Sequence, residues 1–354
     1  MSKNRSVMTA AFCGTAFLTL NGCGFVRIPL VVPPQRILFV GDGFTSAQSS
    51  QVQQFNSGGT QNASTGSSLV VDENYGQTGA RAEVPSGPWG GVPGIFAGLA
   101  AEAGLNYDVH IEAIASSTLA ANYAAAHSVV NQSKWDSVVL QENYANLIPA
   151  QPFLPTYAGS PGSFCDSVQT IEQGVHAAAP KASVYLFEPW PSLATALSVS
   201  GPPDSTASAN TLTATLGNIG VQYHDVYYRA AELDGNITAV APVGEAWVRA
   251  VAASTGMATQ LWSGPQPLET PDNNAQDYVY ASTLGAYLSG LVLFQQITAV
   301  DVTTFGGTEV VAQQLGISSA NAILLQELAQ TAIKGASSTQ IANPYLPNDP
   351  CSYR

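Results

Sequence analysis

Arg36-Ile-Leu-Phe-Val40, running straight into Gly41-Asp-Gly-Phe-Thr45, is the stretch on which the fold turns. Ile37 to Val40 are all large and apolar, and two of them are β-branched. A short run with no polar face reads as a strand buried on both sides. The glycines behind it read as a turn at the strand's carboxyl end. Such a strand needs helices over both faces, and the sequence on its far side supplies them.

Val92 to Gly104 is an Ala-rich helical stretch ending in glycine, a common helix stop. Tyr107–Ile114 predicts the next strand and Thr118–Val130 a helix. Trp135–Leu140 is a further buried strand, followed by the polar Gln141-Glu142-Asn143. Val168–Ala179 predicts a helix, Ser183–Phe187 a strand, and Thr211–Leu233 a helix with a break at Gly217–Gly220. Thr238–Val243 reads as a strand and Glu245–Thr255 as a helix. Leu284–Ile297 is a strongly apolar helix, and Ala312–Ile333 supplies one or two more. Strand–helix alternation with near-continuous apolar strands implies the α/β class, a parallel sheet covered on both faces. No internal repeat is present. Residues 46–90 interrupt the pattern with a polar insertion rich in Ser, Gln, Asn and Gly. It reads as a lid, a docking arm or a disordered segment.

The chain has 354 residues, of which 45% are hydrophobic and only 10% charged, with a net charge of −13. That balance argues against nucleic acid, whose affinity comes from Lys and Arg on phosphates, and against electrostatic docking to anionic lipid. Lys3 and Arg5 precede an apolar run from Val7 to Leu20, the pattern of a signal peptide over residues 1–22. Leu20-Asn-Gly-Cys23 resembles the lipobox of bacterial lipoproteins, which would make Cys23 a lipidated residue and tie the protein to a membrane through that anchor. Plain secretion is the other reading. Residues 23–35 then form a linker, 36–335 the domain and 336–354 a C-terminal tail. Cys165 and Cys351 are a pair that an oxidising compartment would allow to bond, or two unrelated thiols. No Cys-x-x-Cys or Cys/His cluster is present, so the sequence points to no metal and no cofactor.

In parallel α/β sheets the functional residues gather beyond the carboxyl ends of the strands. Here those ends carry Asp42 and Gly43, then Ser116, Gln141, Asn143 and Trp190, with Asp277 and Tyr280 before the apolar helix. Together these segments resemble the SGNH (GDSL-type) hydrolases. The stretches concerned are Ile37–Thr45, Trp135–Glu142, Ala241–Trp247 and Ser282–Phe294, which run in the family order. The resemblance implies a flavodoxin-like three-layer α/β/α sandwich and a Ser-His-Asp apparatus. Mapped residue by residue, the serine position is Gly43, the histidine position is Tyr280 and the aspartate position is Asp277. Glycine offers no nucleophile, and a phenol titrating near ~10 is a poor base at neutral pH.

The remaining positions each carry two readings. Gln141 and Asn143 supply amide donors for an oxyanion or a hydrogen-bonded turn. Ser116 belongs to the other oxyanion block or to a helix cap with Ser117 and Thr118. Trp190 lines a pocket, stacking on a sugar or acyl group, or packs in the core. Asp42, Glu142, Glu188 and Asp277 form a weaker acid-pair pattern. His110, His127, His176 and His224 read as packed or surface residues. Two functions follow. One is an exported, catalytically degenerate protein that binds an ester, acyl or glycan ligand of the cell envelope. The other is an active esterase or deacetylase with a displaced nucleophile such as Thr45 or Ser46.

Overall fold

The computed structural model describes residues 33–48, 50–58, 69–83, 85–149, 158–201, 206–253, 260–264, 278–336 and 348–354. The signal peptide, Cys23 and Asp277 lie outside them.

Strand β1 (Gln35–Gly41) holds Ile37, Leu38, Phe39 and Val40 at 1% exposure or less, which is why it carries no alternation. It pairs in parallel with β3 (Tyr107–Ala113) on one side and β4 (Ser137–Leu140) on the other. Beyond β4 come β5 (Ser183–Phe187) and β6 (Ala239–Ala241), and beyond β3 lies β2 (Val71–Asp72). All pairings are parallel and the order is β2-β3-β1-β4-β5-β6. Without β2 this is the flavodoxin-like order.

Helices α1 (Gly91–Glu102), α2 (Leu119–Val130), α3 (Pro161–Ala178) and α4 (Leu193–Ser200) lie between the strands. Helices α5 (Thr206–Asp234), α6 (Val243–Ala252), α7 (Thr283–Thr298), α8 (Val310–Gln314) and α9 (Ser319–Gly335) complete the set. From β1 the chain crosses to β3 through α1, then back over β1 to β4 through α2. Right-handed crossovers in opposite directions put the two helices on opposite faces. Helix α1 packs on α7, and α7 on α9. On the other face α2 packs on α3, and α3 on α5. The result is a three-layer α/β/α sandwich.

Three differences from the sequence reading have physical causes. Helix α5 runs unbroken through Gly217 and Gly220, because Gly220 serves contact. A Cβ there would come within 2.7 Å of Val248 on α6. Helix α4 was not anticipated between Pro191 and Gly201, although Ser192 caps it by accepting the Thr195 N–H. The described part of the insertion is packed, with Val52, Val70, Val71 and Trp89 buried. It adds β2 to the sheet edge, and Arg81 reaches Glu112 of β3 at 2.5 Å.

The tail belongs to the body of the molecule. Cys351 forms a disulfide with Cys165 of α3, Gly162 N–H donates to Tyr353 O (2.8 Å), and Arg229 pairs with Asp349 at 2.8 Å. Thr118 is the N-cap of α2, its Oγ1 accepting from Ala121 N–H at 3.2 Å. Thr118→Ala is therefore expected to lower the unfolding free energy by about 1 kcal/mol, read from the urea midpoint. An unchanged midpoint would remove the cap from the account of how this segment is held.

Candidate functional site

β1 is the point at which the strand order reverses, so the crevice beyond its carboxyl end is the natural binding place in such a sheet. Gly41 closes the strand and residues 42–48 turn back, Gln48 N–H donating to Gly43 O at 2.8 Å. Asp42 pins the turn. Its Oδ1 accepts from Phe44 N–H (2.9 Å) and its Oδ2 from Asn143 Nδ2 (3.0 Å). Gln141 braces the same turn, its Oε1 accepting from Asp42 N–H (3.0 Å) and Thr45 Oγ1 (2.8 Å) while its Nε2 donates to Glu142 O. Burial pushes the Asp42 carboxyl up to about 6 against these stabilising donors.

Tyr280 lies over this turn. A Cβ built on Gly43 would fall 2.6 Å from Tyr280 Cε1 and 2.4 Å from Gln48 Oε1, so ring and carboxamide occupy the room a side chain would need. The Tyr280 hydroxyl is hydrogen-bonded to Ser116. Burial, then the charge of Asp42, pushes this phenol up to about 12. It is neutral at physiological pH, able to accept or donate a hydrogen bond but not to act as a base. Ser116 is exposed and sits at φ +58°, in the left-handed region that favours glycine. Thr118, two residues on, is the cap.

The structure thus brings Asp42, Gly43, Ser116, Asn143 and Tyr280 to one crevice, and it corrects three roles. Gln141 is no oxyanion donor, because both ends of its amide are spent inside the turn at 1% exposure. Asn143 likewise gives its Nδ2 to Asp42, while its Oδ1 accepts from Ala145 N–H. Trp190 is no pocket wall. It is wholly buried, stacked 4.1 Å from Phe44 and 4.6 Å from Trp247, and its Nε1 donates to Val279 O. Tyr144 extends the stack on the other side of Phe44 at 5.3 Å, giving the turn a rigid aromatic floor.

The acids are scaffold too. Glu142 Oε1 accepts from Leu119 N–H (3.1 Å) and Asn143 N–H (2.8 Å), closing the start of α2. Burial pushes its carboxyl up to about 8. Glu188 is wholly buried and neither carboxyl oxygen has a hydrogen-bond partner among the described residues. Burial and the nearby Glu245 hold it well above the usual carboxylate range. An acid pair meeting substrate needs access, which Asp42, Glu142 and Glu188, at 2% exposure or less, do not have. Thr45 and Ser46 are equally buried, and the Thr45 hydroxyl is already committed to Gln141. His224 stacks on Tyr228 at 4.2 Å, and burial drops its imidazole to about 4. Gln48 was missed in the sequence, where it is one more amide in a polar segment.

No family model matches the sequence, and no curated protein matches it. Among solved structures the chain is similar to a DUF4886 family protein from Bacteroides uniformis ATCC 8492. Identity is 12% and the TM-score 0.47, over 88% of this chain and 99% of that one. It is also similar to a candidate GDSL-like lipase from Parabacteroides merdae ATCC 43184, at 12% identity and TM-score 0.44 over 75% and 96% of the two chains. A third is the acetylxylan esterase Axe2 from Geobacillus stearothermophilus, at 13% identity and TM-score 0.40 over 75% and 94%. Each is a likeness of fold.

Proposed function

We propose that this is an exported protein of the SGNH hydrolase fold that has lost covalent catalysis and keeps its crevice for binding an ester, acyl or glycan ligand of the cell envelope. One observation carries the reading: the Tyr280 ring and the Gln48 carboxamide fill the space beside Gly43 where a nucleophile's side chain would stand. With no hydroxyl at 43 and a neutral phenol at 280, neither acyl transfer to the protein nor base activation of a serine is available. The Cys165–Cys351 bond supports export, since such bonds persist in oxidising compartments. On this reading residues 1–22 direct export and Cys23 carries a lipid anchor. The displaced-nucleophile alternative is disfavoured by the burial of Thr45 and Ser46.

The test is hydrolysis of p-nitrophenyl acetate by the natural protein beside Gly43→Ser and Gly43→Ser/Tyr280→His. The single variant is expected to be destabilised, by about 1–3 kcal/mol of overpacking against Tyr280. The double variant makes room for the hydroxyl, supplies an imidazole, and is expected to exceed natural turnover by about 10²-fold or more. Efficient turnover by the natural protein, with no gain in the double variant, would overturn the reading.

A further inference from the structure

We propose that the cleft beside the Gly43–Tyr280 contact is a subsite for a neutral carbohydrate chain. This rests on the binding reading above and names its ligand class. The two segments that leave the contact become walls of one cleft of about 370 Å³, the first contributing Ser50 and Gln51 and the second Ser282, Thr283 and Leu284. The third wall is Gln260 to Gly264, tied to the second by Ser263 N–H donating to Tyr280 O (2.9 Å) and Ser282 Oγ donating to Gln260 O. Its volume falls within the range of small-ligand pockets, about 300–1,000 Å³.

The lining decides the class. It holds four hydroxyls (Ser50, Ser263, Ser282, Thr283), two carboxamides (Gln51, Gln260), the indole of Trp262 and the side chain of Leu284, with no charged group. An anionic ligand would find no cation there, and a cation no carboxylate. A long acyl chain would have to desolvate hydroxyls and amides without pairing them, which is unfavourable. A neutral polyol offers donors and acceptors to every one of these groups and C–H faces to the aromatic and aliphatic surface. Trp262 is itself held rigidly, its Nε1 donating to Pro191 O at 3.0 Å and its ring meeting Trp247 edge-on. Gln48 adds a cue at the cleft's inner end along the chain. It is 8% exposed, and its Oε1, without a partner among the described residues, lies against the Gly43 turn, ready to accept from a ligand hydroxyl.

The experiment titrates the full chain by calorimetry with cellotetraose and chitotetraose, beside trigalacturonate and hexanoate, while following the Trp262 indole N–H signal by NMR. Saturable binding of a neutral tetrasaccharide at about 1 mM or tighter is expected, with a shift of that signal. Thr283→Trp, which fills the cleft from a half-buried helix-start position, should weaken binding about tenfold or more while leaving the fold intact. Gln51→Ala/Gln260→Ala, at two exposed positions, should weaken it without filling anything. Absence of saturable tetrasaccharide binding, binding undiminished by Thr283→Trp, or preference for hexanoate or trigalacturonate would each overturn the proposal. The ester assay with the double variant reads the Gly43–Tyr280 mapping independently, so either reading fails alone.

Discussion

Cys165→Ser/Cys351→Ser is expected to lower the unfolding free energy by about 3–5 kcal/mol. The bond joins residues 186 apart in sequence, and a crosslink restricts the unfolded chain more as the loop it closes lengthens. In the native molecule it presses residues 348–354 onto α3 and α5, with Cys351 buried and Arg229 bonded to Asp349. Those partners are surface groups and would not hold the tail alone, because exposed ion pairs contribute about 0–1 kcal/mol. Urea unfolding of the variant, and of the natural protein with and without dithiothreitol, measures the effect. A loss below about 1 kcal/mol would mean that the crosslink does not restrict the unfolded chain as argued.

Stability is expected to peak in the acid range near pH 5 and to decline towards pH 8. Seven carboxyls lie above their ordinary values, chiefly through burial. Asp42 is raised to about 6, Glu112, Glu245 and Glu309 to about 7, Glu83 and Glu142 to about 8, and Glu188 well above its usual value. Above the unfolded value of 4.5 the unfolded chain releases these protons while the folded protein keeps them. Their contribution is therefore complete below that value and lost as pH rises through each folded value. His110 and His176, both raised, add to the same slope. On the acid side His224, lowered to about 4, withdraws stability as pH falls below 6.5. The lowered Glu73, Asp108, Asp301 and Asp349 do so as pH falls through their folded values.

Glu188 is the clearest single contributor, having no hydrogen bond among the described residues to offset its burial. Glu188→Gln should be more stable than the natural protein at pH 8 and little changed at pH 4.5. Its stability–pH slope between 5 and 7 should be shallower by about 1 kcal/mol per pH unit. Thermal unfolding across that range checks it, and parallel curves for the two proteins would show that Glu188 ionises freely in the fold.

Much of the fold was legible because parallel strands buried on both faces leave an unmistakable apolar run. Ile37–Val40 and Ser183–Phe187 are read directly. What was not legible depends on distance in space. Nothing in Gly217 or Gly220 says that α6 passes close enough to need a missing side chain. Pro189, Pro191 and Gly201 drew attention away from the short helix they enclose. In the crevice, residue types suggested Gly43 and Tyr280 as a degenerate pair, but 237 positions separate them in the chain, and only the fold lays one on the other. Gln141 and Trp190 were misjudged for a shared reason. An amide or an indole at a strand end reads as available until its own partners are counted, and in both cases neighbouring groups had taken every face.

The aromatic floor beneath the turn also gives the protein an optical signature. Trp190 and Trp247 lie nearly parallel, 7° apart at 4.6 Å, and Trp262 meets Trp247 at 71°. Indole transitions held that close in a fixed, chiral arrangement couple to one another, and near-ultraviolet circular dichroism records such coupling only while side-chain packing persists. One end of this chromophore touches Phe44, next to Gly43, and the other is the Trp262 that lines the cleft. The dichroic band of the native molecule is thus a built-in reporter of the crevice, sensitive to loosening there before the far-ultraviolet signal of the helices changes.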